Sequence, residues 1–159
     1  MQIFDDSLLK KLSSQARSNP RLRKNFNLHS SYDEPSQRLL NAMEPDSYIR
    51  PHRHQIDPKS ECFVAIRGKF ALVTFNNEGD IEQLVRFGPG GDAVGAELPP
   101  GVWHTVVCLE HGSIFFETKS GPYNPILKKD MAPWAPEEKS DGALEYLQKL
   151  RSMIDAYRS

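Results

Sequence analysis

Between Gln37 and Lys119, short β-prone runs alternate with turn clusters about every ten residues, and few folds accept that rhythm. The runs are Arg38–Met43, Tyr48–His54, Cys62–Arg67, Lys69–Phe75, Ile81–Phe87, Val94–Leu98, Val102–Leu109 and Ser113–Lys119. Punctuation comes from Glu44-Pro45-Asp46-Ser47, Asn76 to Asp80, Gly88-Pro89-Gly90-Gly91 and Glu110-His111-Gly112. So many short strands joined by tight turns predict a closed antiparallel barrel or jelly roll, which leaves few open edges. Helical periodicity flanks this region. Leu8, Leu9, Leu12 and Ala16 predict a helix over Asp5–Ser18, capped by Asp5 or Asp6 and ended by Asn19-Pro20. Leu144, Leu147, Leu150, Met153, Ile154 and Tyr157 predict a second over Ala143–Tyr157.

The expected organisation is therefore one mainly β domain. Residues 1–36 supply a helix and a polar irregular segment, 37–120 the barrel, and 121–159 a proline-rich strap and the last helix. A chain of 159 residues buries about two-thirds of its unfolded surface, enough for a single core. A net charge of −1 gives no electrostatic reason to expect nucleic acid or an anionic membrane. Asp5 and Asp6 interrupt the first apolar stretch, against a signal peptide. Two cysteines make no disulfide framework. Cys62 and Cys108 are expected as packed thiols in a reducing cytoplasm.

Chemistry concentrates in two clusters, Pro51-His52-Arg53-His54 with Glu61, and Pro99-Pro100-Gly101-Val102-Trp103-His104. Histidines at i and i+2 leave the same face of a strand. A second strand brings His104 beside them and Glu61 closes the set. Three imidazole nitrogens and one carboxylate suit one divalent transition metal of intermediate softness, such as Fe, Mn, Zn, Ni or Co. The six residues between His54 and Glu61 are expected to be absorbed as a bulge or loop at the barrel mouth.

These residues resemble the two motifs of the cupin superfamily, His-x-His…Glu-x6-Gly (His52, His54, Glu61, Gly68) and Pro-x-Gly-x2-His (Pro99, Gly101, His104). Ser18–Asn25, Tyr48–His54, Gly121-Pro122-Tyr123 and Ala132–Pro136 are similar to one branch, the WbuC-family cupin-fold metalloproteins. The resemblance implies a single-domain cupin with His52, His54, Glu61 and His104 as metal ligands. It also implies a link to surface polysaccharide biosynthesis, because the family is often met among such genes.

Arg50 shares strand parity with His52, so its guanidinium is expected to enter the barrel and to need an anion: Glu117, Glu61, or a bound carboxylate or phosphate. Tyr48 has the same parity, and Arg21, Arg23 and Lys24 are expected to fold over the mouth as ligand-contacting residues. Trp103 should face away from His104. His29 and His111 read as loop residues. The expected ligand is a small polar, anionic sugar derivative. The expected activity is metal-dependent isomerisation or epimerisation, with Tyr48, Glu117 and Lys119 as the available acids and bases. Two alternatives stay open, a non-catalytic metal-dependent sugar or effector binder and an Fe(II) dioxygenase. Barrel-edge pairing gives an expected homodimer.

Overall fold

The computed structural model describes residues 1–157. Helix α1 (Asp6–Arg17) precedes eight strands: β1 (Arg23–Asn27), β2 (Ser36–Met43), β3 (Glu61–Arg67), β4 (Phe70–Phe75), β5 (Ile81–Phe87), β6 (Gly95–Leu98), β7 (Trp103–Cys108) and β8 (Ser113–Ser120). A 3-10 turn (Lys128–Asp130) and helix α2 (Gly142–Ala156) follow. The strands form two antiparallel sheets, ordered β1-β2-β8-β3-β6 and β5-β4-β7. This is a mainly β, single-domain antiparallel jelly roll with a helix on each outer face.

Strand period assigns the layers. Phe70 and Leu72 of β4 point into the barrel with Phe63, Phe87, Val106, Cys108 and Phe115. Ala71, Val73 and Phe75, on the opposite face, pack with Trp103 and Val107 beneath α2. On the other sheet, Leu40, Ala42 and Ile114 receive Leu9, Leu12 and Ala16 of α1. The Asp5 carboxylate caps α1 by accepting from the Leu8 amide at 2.8 Å, which satisfies a donor the first turn leaves free. Gly68 sits at φ +72° between β3 and β4, where a Cβ would collide with Ser113.

Three expectations change and one, the spacer after His54, narrows to one of its two alternatives. The polar segment is not wholly irregular, because Arg23–Asn27 pairs with β2 from Arg23↔Met43 to Asn27↔Leu39. Lone Phe26, set against the outer cluster, is the only apolar anchor that strand has, which hid it from periodicity. Tyr48–His54 is extended but carries no strand; His52 alone bridges His104 on one side and Met131 on the other. The six-residue spacer is a loop and not a bulge, tied by the Gln55 and Ile56 amides donating to Asp130 Oδ2 at 3.3 and 3.0 Å. Helix α2 buries a narrower stripe than its sequence pattern, since Leu144, Met153 and Tyr157 are exposed. Leu147→Ala should therefore cost ~2–5 kcal/mol in urea unfolding, while Leu144→Ala should stay within ~0.5 kcal/mol.

Both thiols are free. Cys108 is sealed in the barrel, where burial pushes its pKa up to about 12.

Candidate metal centre

Two backbone hydrogen bonds make the centre. His52 N donates to the His104 carbonyl at 3.0 Å and His104 N returns the bond at 2.8 Å, so the two imidazoles project together with ring centroids 4.5 Å apart. Gly101, at φ +83°, turns the chain into β7, and its amide donates to the His54 carbonyl at 3.0 Å, fixing the third histidine to the same rim. Glu61 opens β3 and faces inward at 3 % exposure.

Side-chain chemistry then orients the donors. His52 Nδ1 lies 3.0 Å from the Arg50 carbonyl and His104 Nδ1 lies 2.9 Å from the Val102 carbonyl. In its neutral form each ring therefore carries the proton on Nδ1 and presents the Nε2 lone pair, the arrangement that supports metal-ligating histidines. Burial first, then His104, pushes the His52 pKa down to about 3, so that ring stays neutral. Burial works to raise Glu61, but His104, His54 and Lys119 together hold its carboxyl well below the usual carboxylate range.

Ligand atoms of His52, His54 and Glu61 all lie within 4.8 Å of one another. Glu61 Oε2 is 2.8 Å from His104 Nε2, and Oε1 is 3.2 Å from His54 Nε2. Yet His54 Nε2 and Glu61 Oε2 are buried without a hydrogen-bond partner. The atoms converge at contact distance without donor–acceptor alignment. That is what lone pairs aimed at a common cation look like, and what a finished hydrogen-bond network avoids. The donor set fits a divalent metal.

Lys119 stands directly across the ladder from Glu61. Its Nζ lies 2.7 Å from Glu61 Oε1 and 2.7 Å from Glu117 Oε1, and Glu117 Oε2 accepts from Asn41 Nδ2 at 2.6 Å. Burial pulls the ammonium pKa down, but Glu117 and Glu61 overcome it and hold it above the ordinary lysine range. These groups and the metal residues line one cavity of about 360 Å³ between the sheets.

Not every expected contact residue reaches that cavity usefully. Tyr48 does not line it; its ring sits in the core under α2 and its hydroxyl donates to the Pro136 carbonyl at 2.9 Å. The loss of strand structure before Pro51 breaks the parity on which Tyr48 was placed. Lys24 points outward, because β1 alternates and only Arg23, Asn25 and Asn27 face in. Arg21 and Arg23 line the cavity but both pair with Glu138, at 3.3 and 2.6 Å, and Arg23 also donates to the Tyr48 carbonyl at 2.7 Å. Arg50 lines it too, with Nη2 donating to the Ala132 carbonyl at 2.8 Å and Nη1 at 3.5 Å from Glu137, not from Glu117 or Glu61. The strap after Gly121 thus supplies partners that the sequence left to a bound anion. Trp103 faces away from His104 as expected, with the Arg53 guanidinium 4.2 Å over its ring. His111 is exposed, at 2.6 Å from Glu44.

Asn41 and His29 escaped the sequence reading as cavity residues. Asn41 was legible as the one polar residue within Leu39–Met43, on the inward parity. His29 had no local signal.

Residues 4–87, more than half of the sequence, match a family described as a domain of unknown function (DUF6016). The chain belongs to that family. The DUF6016 match spans α1 to β5 and so takes in His52, His54 and Glu61, with His104 beyond it. No curated protein matches the sequence. Among solved structures, TT1209 from Thermus thermophilus is 24% identical, covering 77% of this chain and 98% of its own, with a TM-score of 0.51. KdgF from Halomonas sp. is 19% identical over 68% and 84%, with a TM-score of 0.49. An RmlC-like cupin from Shewanella frigidimarina is 21% identical over 65% and 78%, with a TM-score of 0.46. The likeness of this DUF6016 chain to TT1209 is one of fold. Among the described residues, no helix is long and apolar enough to cross a membrane.

Proposed function

We propose that His52, His54, Glu61 and His104 hold one divalent transition metal, and that the chain acts on a small, polar, carbohydrate-related molecule in the adjoining cavity. The observation that carries the reading is the pair of buried, partnerless ligand atoms, His54 Nε2 and Glu61 Oε2, converging with two histidines whose Nε2 lone pairs are free. When bound, a divalent metal polarises a ligand oxygen or a water. The protein's own part is to hold the His52 imidazole neutral, to fix the His52 and His104 rings by backbone bonds, and to keep titratable groups beside the bound molecule.

Those groups favour an enzyme over a passive binder. A site that only orients a sugar has no need of a buried acid or base, whereas Lys119 and Glu117 sit beside Glu61 on the cavity wall. Proton transfer at a carbon next to a polarised oxygen, as in isomerisation or epimerisation, is the chemistry these groups suit. The resemblance to the WbuC family supports the same direction, toward surface-polysaccharide precursors. The paired state of Arg21, Arg23 and Arg50 argues for hydroxyl recognition over phosphate recognition.

The test is metal analysis of protein purified without chelator or immobilised metal. One divalent ion per chain is expected. Less than about a tenth of an equivalent, after reloading with each of Fe, Mn, Zn, Ni and Co, would remove the proposal. Light scattering on the same preparation is expected to give twice the chain mass, from pairing through open strand edges.

A further inference from the structure

Far across the cavity from the metal residues lie two buried polar atoms with nothing to bond. His29 is 7 % exposed and Gln37 is 2 % exposed; both line the cavity, and His29 Nε2 and Gln37 Oε1 have no partner. The hydrogen-bonding state of each follows from its other atoms. His29 Nδ1 lies 3.0 Å from both the Arg38 amide nitrogen and the Arg38 carbonyl oxygen; an amide N–H aimed at Nδ1 can only donate, and the carbonyl has another partner in the Leu28 amide at 2.8 Å. His29 Nδ1 is therefore the acceptor, and the proton of the neutral ring rests on Nε2, a donor. The Gln37 amide nitrogen donates to the Tyr32 and Glu34 carbonyls at 3.1 and 2.9 Å, which leaves Oε1 as a pure acceptor.

One unmet donor and one unmet acceptor on a shared cavity call for groups that both give and receive hydrogen bonds. Hydroxyls do this; ionised phosphate and carboxylate oxygens, which only accept, cannot satisfy Gln37 Oε1. Beside them the Tyr32 and Tyr123 rings stand 5.0 Å apart, also on the cavity, an apolar surface of the kind that small-molecule pockets pair with a few placed polar groups.

Strand register sets the distance. Gln37 pairs with Lys119 across β2–β8, and Lys119 pairs with Glu61 across β8–β3. Two strand spacings put the Gln37 and Glu61 backbones roughly 10 Å apart, with both side chains facing in. That span matches a six-carbon chain better than a two-carbon one.

We infer that His29 and Gln37 form a distal hydroxyl-binding subsite, so that the ligand is an extended polyhydroxylated molecule, a sugar or sugar acid, with its metal-binding oxygens at the other end. The inference rests on the metal reading above and names the ligand class for that same site.

Calorimetry on metal-loaded protein with two probes tests it. Glycolate carries only an α-hydroxycarboxylate head; D-gluconate carries the same head and a polyol tail. Gluconate should bind at least about 10-fold more tightly than glycolate. His29→Asn keeps an acceptor for the Arg38 amide but removes the distal donor, and should erase that advantage while leaving glycolate affinity and metal content unchanged. His29→Gln, which returns an amide N–H at the reach of Nε2, should restore part of it. Equal affinity of the two probes for the wild type would overturn the subsite alone, as would an advantage that survives His29→Asn. Equal losses for both probes would reduce His29 to a structural role and overturn it too. Wild-type protein without metal would bring down the metal reading and this inference together.

Discussion

Replacing His52 or His104 by Ala should abolish stoichiometric metal, whereas His111→Ala should leave it untouched. Each of the first two removes a ligand and also the ring that its backbone bridge holds in place. The loss should exceed the ~10–100-fold that a missing supporting hydrogen bond costs a metal site. His111 is the control because it is exposed and bonded to Glu44, outside the cavity. Metal content by plasma mass spectrometry after equilibration with a weak chelator reads the difference. Full occupancy in His104→Ala would sink the four-residue assignment. Glu61→Gln that keeps wild-type affinity would withdraw only the carboxylate.

Lys119→Met should be strongly destabilising. It removes the cation between Glu61 and Glu117, which are 3 % and 11 % exposed at their side chains. Breaking a buried ion pair strands uncompensated charge and costs about 3–5 kcal/mol. The metal-free variant should show that loss in urea unfolding at neutral pH. A divalent metal replaces part of the missing positive charge, so added metal should stabilise the variant more than the wild type. A loss below ~1 kcal/mol, the range of exposed pairs, would mean that water reaches and screens these charges. A variant that metal stabilises less than wild type would contradict the shared-carboxylate arrangement.

Local period was the strongest guide. It set β2 through β8 to within a residue or two, because inward and outward residues alternate along each. It also set Trp103 facing away from His104. The same argument failed where its premise failed. Tyr48 was placed by strand parity, but its segment carries only the bridges at His52; Arg50, placed the same way, does line the cavity. Lys24 was placed by proximity in a segment whose strand went unseen, and alternation turns it outward.

The sequence alone determined the antiparallel jelly roll, the two flanking helices and the clustering of His52, His54, Glu61 and His104. All of these follow from spacing within a few residues, where backbone geometry leaves few choices. Only the tertiary structure decided how the arginines are neutralised and which polar atoms remain unmet. Arg23 meets Glu138 and Arg50 meets Ala132, partners far along the chain, brought close by the strap and not by any local pattern. His29 became a cavity residue for the same reason. A loop residue with no periodic signal is placed by the strand pairing around it, and a hydrogen-bond vacancy exists only once every neighbour has taken its partner.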